Sequence, residues 1–197
     1  MNCDPAAVEL FRKKAELVST KTVEKPDMAR AIAYALEICQ AKAPFQPMMA
    51  TGQNEPGERV VAAPALKEDD YLCLTQAARG MGVTVIKDGL RDRLAGIDLV
   101  LTYAGLGLAE TATCILSCPN EDERLATMIG EIHVLALPKS RVVKDLYQAE
   151  DYMKNLLAEE AMYAAFISGS SRTSDIERVL TTGVHGPLEL HVVLLDS

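Results

Sequence analysis

At 197 residues, with 49% hydrophobic and 24% charged residues, the chain has ordinary globular composition. It is long enough to bury roughly 70% of the surface its unfolded form exposes. A net charge of −8 and a pI near 4.9 argue against a nucleic-acid duplex or an anionic membrane as partner.

The chain contains no Trp and few aromatics, so the core is expected to be aliphatic, with Met and Ala as filler. The N-terminal MNCDPAAVEL lacks the basic and long apolar regions of a secretory signal. The most apolar stretch, Gly96 to Pro119, carries Asp98, Glu110 and several glycines, which suits a strand–loop–strand and not a membrane span. A soluble, cytoplasmic protein folded as one domain over residues 1–197 is expected.

Taken in chain order, Asp4 as N-cap with Pro5 at the first helical position opens a helix to about Val18, with Val8, Phe11, Ala15 and Val18 on one stripe. Asp27 opens a second helix to about Ala41, with Ala29, Ile32, Ala33 and Leu36 as its packing face. These two form a helical lead-in over about 4–42. A Pro- and Gly-rich connection from Ala43 to Gly57 holds one short strand, Gln46 to Ala50, before a core spanning about 58–197.

In that core, strands are expected at Arg59–Ala63, Val83–Lys87, Asp98–Tyr103, Cys114–Cys118, Ile132–Leu137, Ala164–Ser168 and Leu188–Leu195. Helices are expected at Glu68–Gly80, Leu90–Ala95, Glu121–Ile129, Ser140–Glu160 and Ser174–Thr181. Strands that are apolar at nearly every position and alternate with helices indicate a mainly parallel sheet covered on both faces.

The cysteines, Cys3, Cys39, Cys73, Cys114 and Cys118, show no CxxC spacing. A zinc or iron–sulfur site is therefore not expected, and Cys114 and Cys118, four apart and on one sheet face, are expected as buried free thiols. His133 and His191 fall inside strands and read as core or sheet-surface histidines. No three-histidine or His/Asp spacing exists, so neither a protein-built metal site nor a cofactor is expected.

Two polar clusters follow strands, where open α/β sheets hold ligands. In FISGSSRTSDIE, the residues Ser168, Gly169, Ser170, Ser171, Arg172 and Thr173 combine a permissive backbone, hydroxyl donors and a planar guanidinium, a set suited to an anion. Ser174 with Glu177 fits a capping box, which would add free helix N–H groups. Asp175 in the first turn would stabilise the helix start or orient Arg172. The competing reading is an ordinary capped βα loop.

In YAGLGLAETAT, Gly105 and Gly107 form a GxG without the third glycine of a dinucleotide fingerprint. Glu110, amid Leu108, Ala109 and Thr111, would be partly desolvated and suited to a general base or nucleophile; alternatively it holds the loop backbone. Thr111 and Thr113 add hydroxyls. His185, in the GVHGP turn, is held outside regular structure, where its imidazole is exposed or wedged.

These same segments, GLAETAT, SGSSRTSDIE and GVHGPLELHVVLL, resemble the C-terminal signature of LUD-domain proteins of the lactate-utilization protein C group. Members carry AETGT-type, SGPSRTADIE-type and GVHGP segments. The match covers about Asp98 to Asp196. Here Ala112 stands where the family usually has Gly, and Ser170 where it usually has Pro. If the family's Gly adopts positive φ, Ala there costs on the order of 1 kcal/mol. The region from Pro119 to Ile132 also lacks the family's leucine-proline step before the His-containing strand.

The resemblance implies a three-layer α/β/α sandwich like that of the sugar-phosphate isomerase and CoA-transferase superfamily. It also implies a part in oxidising L-lactate to pyruvate alongside separate iron–sulfur subunits.

Glu110 and His185 are thus the candidate catalytic residues. Thr111, Thr113, Ser168, Gly169, Ser171, Arg172, Thr173 and Asp175 are the candidate ligand shell for a carboxylate- or phosphate-bearing anion. Two competing readings are a stand-alone isomerase- or acyl/CoA-transferase-like enzyme using Glu110, and a non-catalytic structural partner of iron–sulfur proteins. A homo-oligomer is compatible with the apolar content.

Overall fold

The computed structural model describes residues 3–45, 58–158, 163–170, 172–174, 180–182 and 186–196. Helix α1 (Pro5–Leu17) starts where expected, because the Asp4 carboxylate accepts the free N–H groups of Ala6 and Ala7 at 3.0 and 3.4 Å. It buries Ala7, Val8, Phe11 and Ala15. Helix α2 (Met28–Ala41) is capped by Asp27. Its buried stripe is Ala31, Ile32, Ala35, Leu36 and Cys39, while Ala29 and Ala33 face outward. The alanine-rich sequence offers two small-residue stripes, and the i, i+4 series that includes Cys39 is the one that reaches the sheet.

Between these helices lies β1 (Thr20–Lys25), a strand that the hydropathy pattern hides because TKTVEK carries three charges. It is an edge strand, where charges stay wet. The remaining parallel strands are β2 (Arg59–Ala62), β3 (Val83–Ile86), β4 (Ile97–Tyr103), β7 (Gly130–Pro138) and β12 (Glu189–Leu195). They form one six-stranded sheet in the order β1-β12-β7-β4-β2-β3, parallel at every pairing. Helix α3 (Glu68–Ala77) links β2 to β3, a 3₁₀ turn at Leu90–Arg93 links β3 to β4, and α4 (Glu121–Ile129) precedes β7.

The mainly parallel α/β architecture is as expected, but the third layer is only partly helical. One face of the sheet packs on α2 and α3, with Leu99, Leu101, Val134, Ala136 and Val193 in the contact. The other face is covered by α1 and, beside it, a second sheet ordered β8-β5-β6-β9. Its strands are β5 (Leu106–Leu108), β6 (Thr113–Ser117), β8 (Val142–Val143) and β9 (Ala164–Ile167). Toward the β2 side, α4 and Leu90 cover Val60, Ala62 and Val100.

The second sheet accounts for two departures from expectation. The long helix anticipated over Ser140–Glu160 is reduced to α5 (Glu150–Leu157). Val142 and Val143 pair with Gly107 and Leu108 instead. Asp145 accepts the Gln148 N–H at 3.0 Å, and the Gln148 side chain accepts the Lys144 N–H at 2.9 Å, closing a local turn that competes with helix. The capped helix anticipated over Ser174–Thr181 is replaced at both ends by an antiparallel ribbon of β10 (Arg172–Ser174) and β11 (Leu180–Thr182). A strand placement outweighs the Ser174 capping signal at that residue. The strand expected at Gln46–Ala50 lies outside the described residues.

At the amino ends of the central strands, Asp98 is buried (1% exposed) and fully engaged. It accepts from the Lys42 ammonium at 2.8 Å and from the backbone N–H groups of Phe45 and Val60 at 2.6 and 2.8 Å. Lys42 also reaches Glu131 at 2.7 Å. Burial works to lower the Lys42 pKa, but its bonds to both carboxylates outweigh that and hold it above its ordinary value. This cluster ties the end of α2 to the starts of β2, β4 and β7. Asp98→Ala is expected to cost about 3 kcal/mol or more, because it leaves the Phe45 and Val60 N–H groups unpaired and takes from Lys42 one of its two carboxylates. The urea unfolding midpoint measures it, and a loss under about 1 kcal/mol would contradict this role.

Candidate functional site

Antiparallel pairing of β6 with β9 sets Cys114 opposite Ile167. It thereby brings the residues just outside the pairing, Thr113 and Ser168, side by side. Their hydroxyls hydrogen-bond at 2.5 Å, and Thr113 bonds Thr111 at 2.6 Å. Thr113 is buried, whereas Thr111 and Ser168 are exposed. The result is a chain of three hydroxyls with its buried member in the middle and both ends at the surface. Two internal bonds consume two of its hydroxyl protons, so one donor remains for an external acceptor. The two polar clusters therefore do meet, though through the second sheet and not at a shared edge of the central one.

The turn before Thr113 is pinned at its base. The Ala109 and Glu110 N–H groups donate to the Val143 and Lys144 carbonyls at 2.9 and 3.0 Å. Ala112 has φ +50°, the left-handed region, so the expected cost of order 1 kcal/mol for Ala in place of Gly applies. The Glu110 side chain is exposed, which contradicts the partly desolvated carboxylate anticipated from its apolar neighbours. Leu108 and Ala109 turn inward, and the left-handed turn carries Glu110 and Thr111 out.

Gly169 follows Ser168 with φ +83°, and a Cβ there would meet the Val18 carbonyl oxygen at 2.6 Å. Glycine is required on both counts. The GxG pair is likewise explained by packing: a Cβ on Gly105 would meet the Tyr152 hydroxyl at 2.0 Å, and one on Gly107 the Leu137 side chain at 2.7 Å.

Arg172 and Thr173 open the β10 ribbon, their backbones paired with Thr182 and Thr181. Ser171, Asp175 and His185 lie outside the described residues. The end of the GVHGP turn is placed at the amino end of β12: the Gly186 N–H donates to Met128 C=O at 3.1 Å and the Leu188 N–H to Glu131 C=O at 2.9 Å.

His133 and His191 are buried strand residues, as expected. His133 Nε2 lies 2.8 Å from the Thr102 hydroxyl, its Nδ1 has no partner among the described residues, and burial pushes its pKa down to about 3. His191 sits between the Tyr34 hydroxyl (2.7 Å) and Glu189 (3.1 Å); burial lowers its pKa despite the carboxylate. This Tyr34–His191–Glu189 chain was not anticipated, since Tyr34 lies far off in sequence. Cys114 and Cys118 share one core cluster, and burial pushes their thiols up to about 12 and about 11. Among the described residues no group of three or more His, Cys, Asp or Glu could share a metal ion, and no helix is long and apolar enough to cross a membrane.

A parallel α/β sheet covered by helices on one face and by mixed helix and sheet on the other, with two signature segments joined by hydroxyls, defines the class. The chain belongs to the LUD domain family, whose model matches residues 8–195. It is 33% identical over 102 residues to lactate utilization protein C of Shouchella clausii, covering 51% of this chain and 44% of that protein. It is 31% identical over 121 residues to lactate utilization protein C of Deinococcus radiodurans, covering 57% of each. The chain thus spans about half the length of the curated relatives it matches. A crystal structure of a DUF162 family protein from Deinococcus radiodurans shares the fold, with a TM-score of 0.62, 18% identity and 97% coverage of both chains.

Two outcomes test this geometry. Gly169→Ala is expected to lower stability by about 2 kcal/mol or more, combining left-handed strain with a backbone clash; an unchanged melting temperature would contradict the clash. The His133 folded pKa lies below its unfolded value of about 6.5, so the unfolded chain takes up a proton that the folded one refuses. Its stability contribution is therefore complete above about pH 6.5 and is lost toward pH 3, by up to about 1.4 kcal/mol per unit. The destabilisation of His133→Gln relative to the unaltered chain is expected to shrink between pH 7 and pH 5. Parallel pH curves for the two would refute it.

Proposed function

We propose that this chain acts in lactate utilization, as a soluble cytoplasmic LUD-like domain over residues 1–197 that binds a small carboxylate- or phosphate-bearing anion and works beside separate iron–sulfur subunits in oxidising L-lactate to pyruvate. The observation that carries the reading is the Thr111–Thr113–Ser168 hydroxyl chain, which joins two segments that carry the family signature and has one more hydroxyl proton than its two internal bonds use. The relatives' name, lactate utilization protein C, supports the pathway. In this reading an exposed end of the chain meets one anion oxygen, the Arg172 guanidinium clamps the others, and Ser171, Thr173, Asp175 and Gly169 shape the segment around it. Glu110 and His185 stand at the rim as proton-handling groups. The exposure of Glu110 favours this binding role over a desolvated nucleophile of acyl-transfer type.

The test is ligand-induced stabilisation by L-lactate, pyruvate, inorganic phosphate and phosphate esters. A ligand at 100 times its Kd adds about 2.7 kcal/mol, which for a chain of this size raises Tm by roughly 5–10 °C. Thr113→Val and Arg172→Ala are each expected to abolish that rise while retaining a cooperative transition. Identical melting curves for the unaltered chain and Arg172→Ala across the whole panel would overturn the anion site.

A further inference from the structure

The two outer strands of the central sheet are built in opposite ways. β1 carries Lys21, Glu24 and Lys25, with Lys21 bonded to Glu189 and Glu24 to both Arg12 and Lys139. Charges of this kind keep a sheet edge from pairing with another chain. β3, at the other edge, reads Val-Thr-Val-Ile: four β-branched residues with no charge and no proline, all half-buried. Beside it runs an open groove of about 410 Å³ lined by Thr75, Ala78 and Arg79 as well as by Val83, Thr84 and Val85.

The amide alternation of β3 follows from one bond. The Ala63 N–H donates to the Ile86 carbonyl at 2.9 Å, so Ile86 and Thr84 turn their main-chain groups toward β2. Those of Val83 and Val85 point outward. Among the described residues the Val85 carbonyl receives only a long 3.5 Å bond, from the Tyr71 hydroxyl. Among the described residues no main-chain group pairs with this edge of β3.

We propose that β3 is the seam of a homodimer, pairing antiparallel with β3 of a second copy so that Thr84 lies on the two-fold axis. This register is the one in which the outward amides meet: Val83 faces Val85 of the second copy, the two pairs exchange about four main-chain hydrogen bonds, and Thr84 faces its own counterpart as a close, non-hydrogen-bonded pair. A symmetric interface needs a self-complementary patch, and this one supplies it in charge as well. The register turns the segment holding Arg79 toward the segment holding Asp88 of the second copy. Both side chains are exposed, and neither has an ion-pair partner among the described residues. The proposal is independent of the anion site, which lies on the second sheet.

Sedimentation velocity on the full chain from about 1 to 200 μM tests it, with a concentration-dependent dimer expected. Thr84→Lys, which sets two ammonium groups face to face at the axis, is expected to give a monomer with an unchanged far-UV spectrum. Thr84→Cys in a Cys3→Ser background is expected to form an intermolecular disulfide on mild oxidation, since Cα atoms of such a pair stand about 4.5 Å apart, whereas Cys3→Ser alone forms none. If Thr84→Lys fails to fold, the Thr84→Cys crosslink decides alone. A chain that is monomeric to 200 μM, a Thr84→Lys variant that folds and still dimerises, or a dimer that Thr84→Cys leaves uncrosslinked would each overturn the seam.

Discussion

A six-stranded parallel sheet has no solvent-tolerant face, and the whole structure is organised by the need to cover both. The inner strands show the demand most directly: β4, β7 and β12 are buried along almost their entire length. Helices α2 and α3 cover one face. The chain does not bring enough helix to the other, so α1 and α4 share it with a second sheet. Because β5, β6, β8 and β9 are recruited to that covering layer, the segments around Thr113 and Ser168 become neighbours. The candidate site is a by-product of how the second face is closed.

Electrostatics at the strand ends follow the same logic. Burying Asp98 is tolerable only because three donors converge on it, one of them a Lys42 ammonium that also holds Glu131. His133 is accommodated differently, by remaining neutral beside Thr102. The Thr111–Thr113–Ser168 chain avoids charge altogether and satisfies its buried member with neutral hydroxyls.

Much of this was legible in the residues. Asp4–Pro5 and Asp27 mark helix starts by a local chemistry that needs no tertiary help. The runs around Asp98–Tyr103, Ile132–Leu137 and Leu188–Leu195 are apolar at successive positions, as a strand buried on both faces must be. The segments bearing Thr111, Thr113, Ser168 and Arg172 were recognisable from their donors. Where reading failed, a local signal lost to a distant partner. Ser174 with Glu177 looks like a helix cap, yet Ser174 pairs with Leu180 across a ribbon. Val142 and Val143 sit in a stretch of helix-forming residues, yet β5 claims them. Lys21, Glu24 and Lys25 hid β1, because an edge strand keeps charges that an inner one cannot.

By itself the sequence determined that β4, β7 and β12 are strands buried on both faces and where the first two helices begin, because propensity, capping and alternation act over a few residues. Only the tertiary structure decided which hydroxyls touch, that Glu110 faces solvent, and that Gly105 and Gly107 make room for Tyr152 and Leu137. Those outcomes depend on pairings between residues dozens of positions apart, whose energy is realised only when both partners have already been placed.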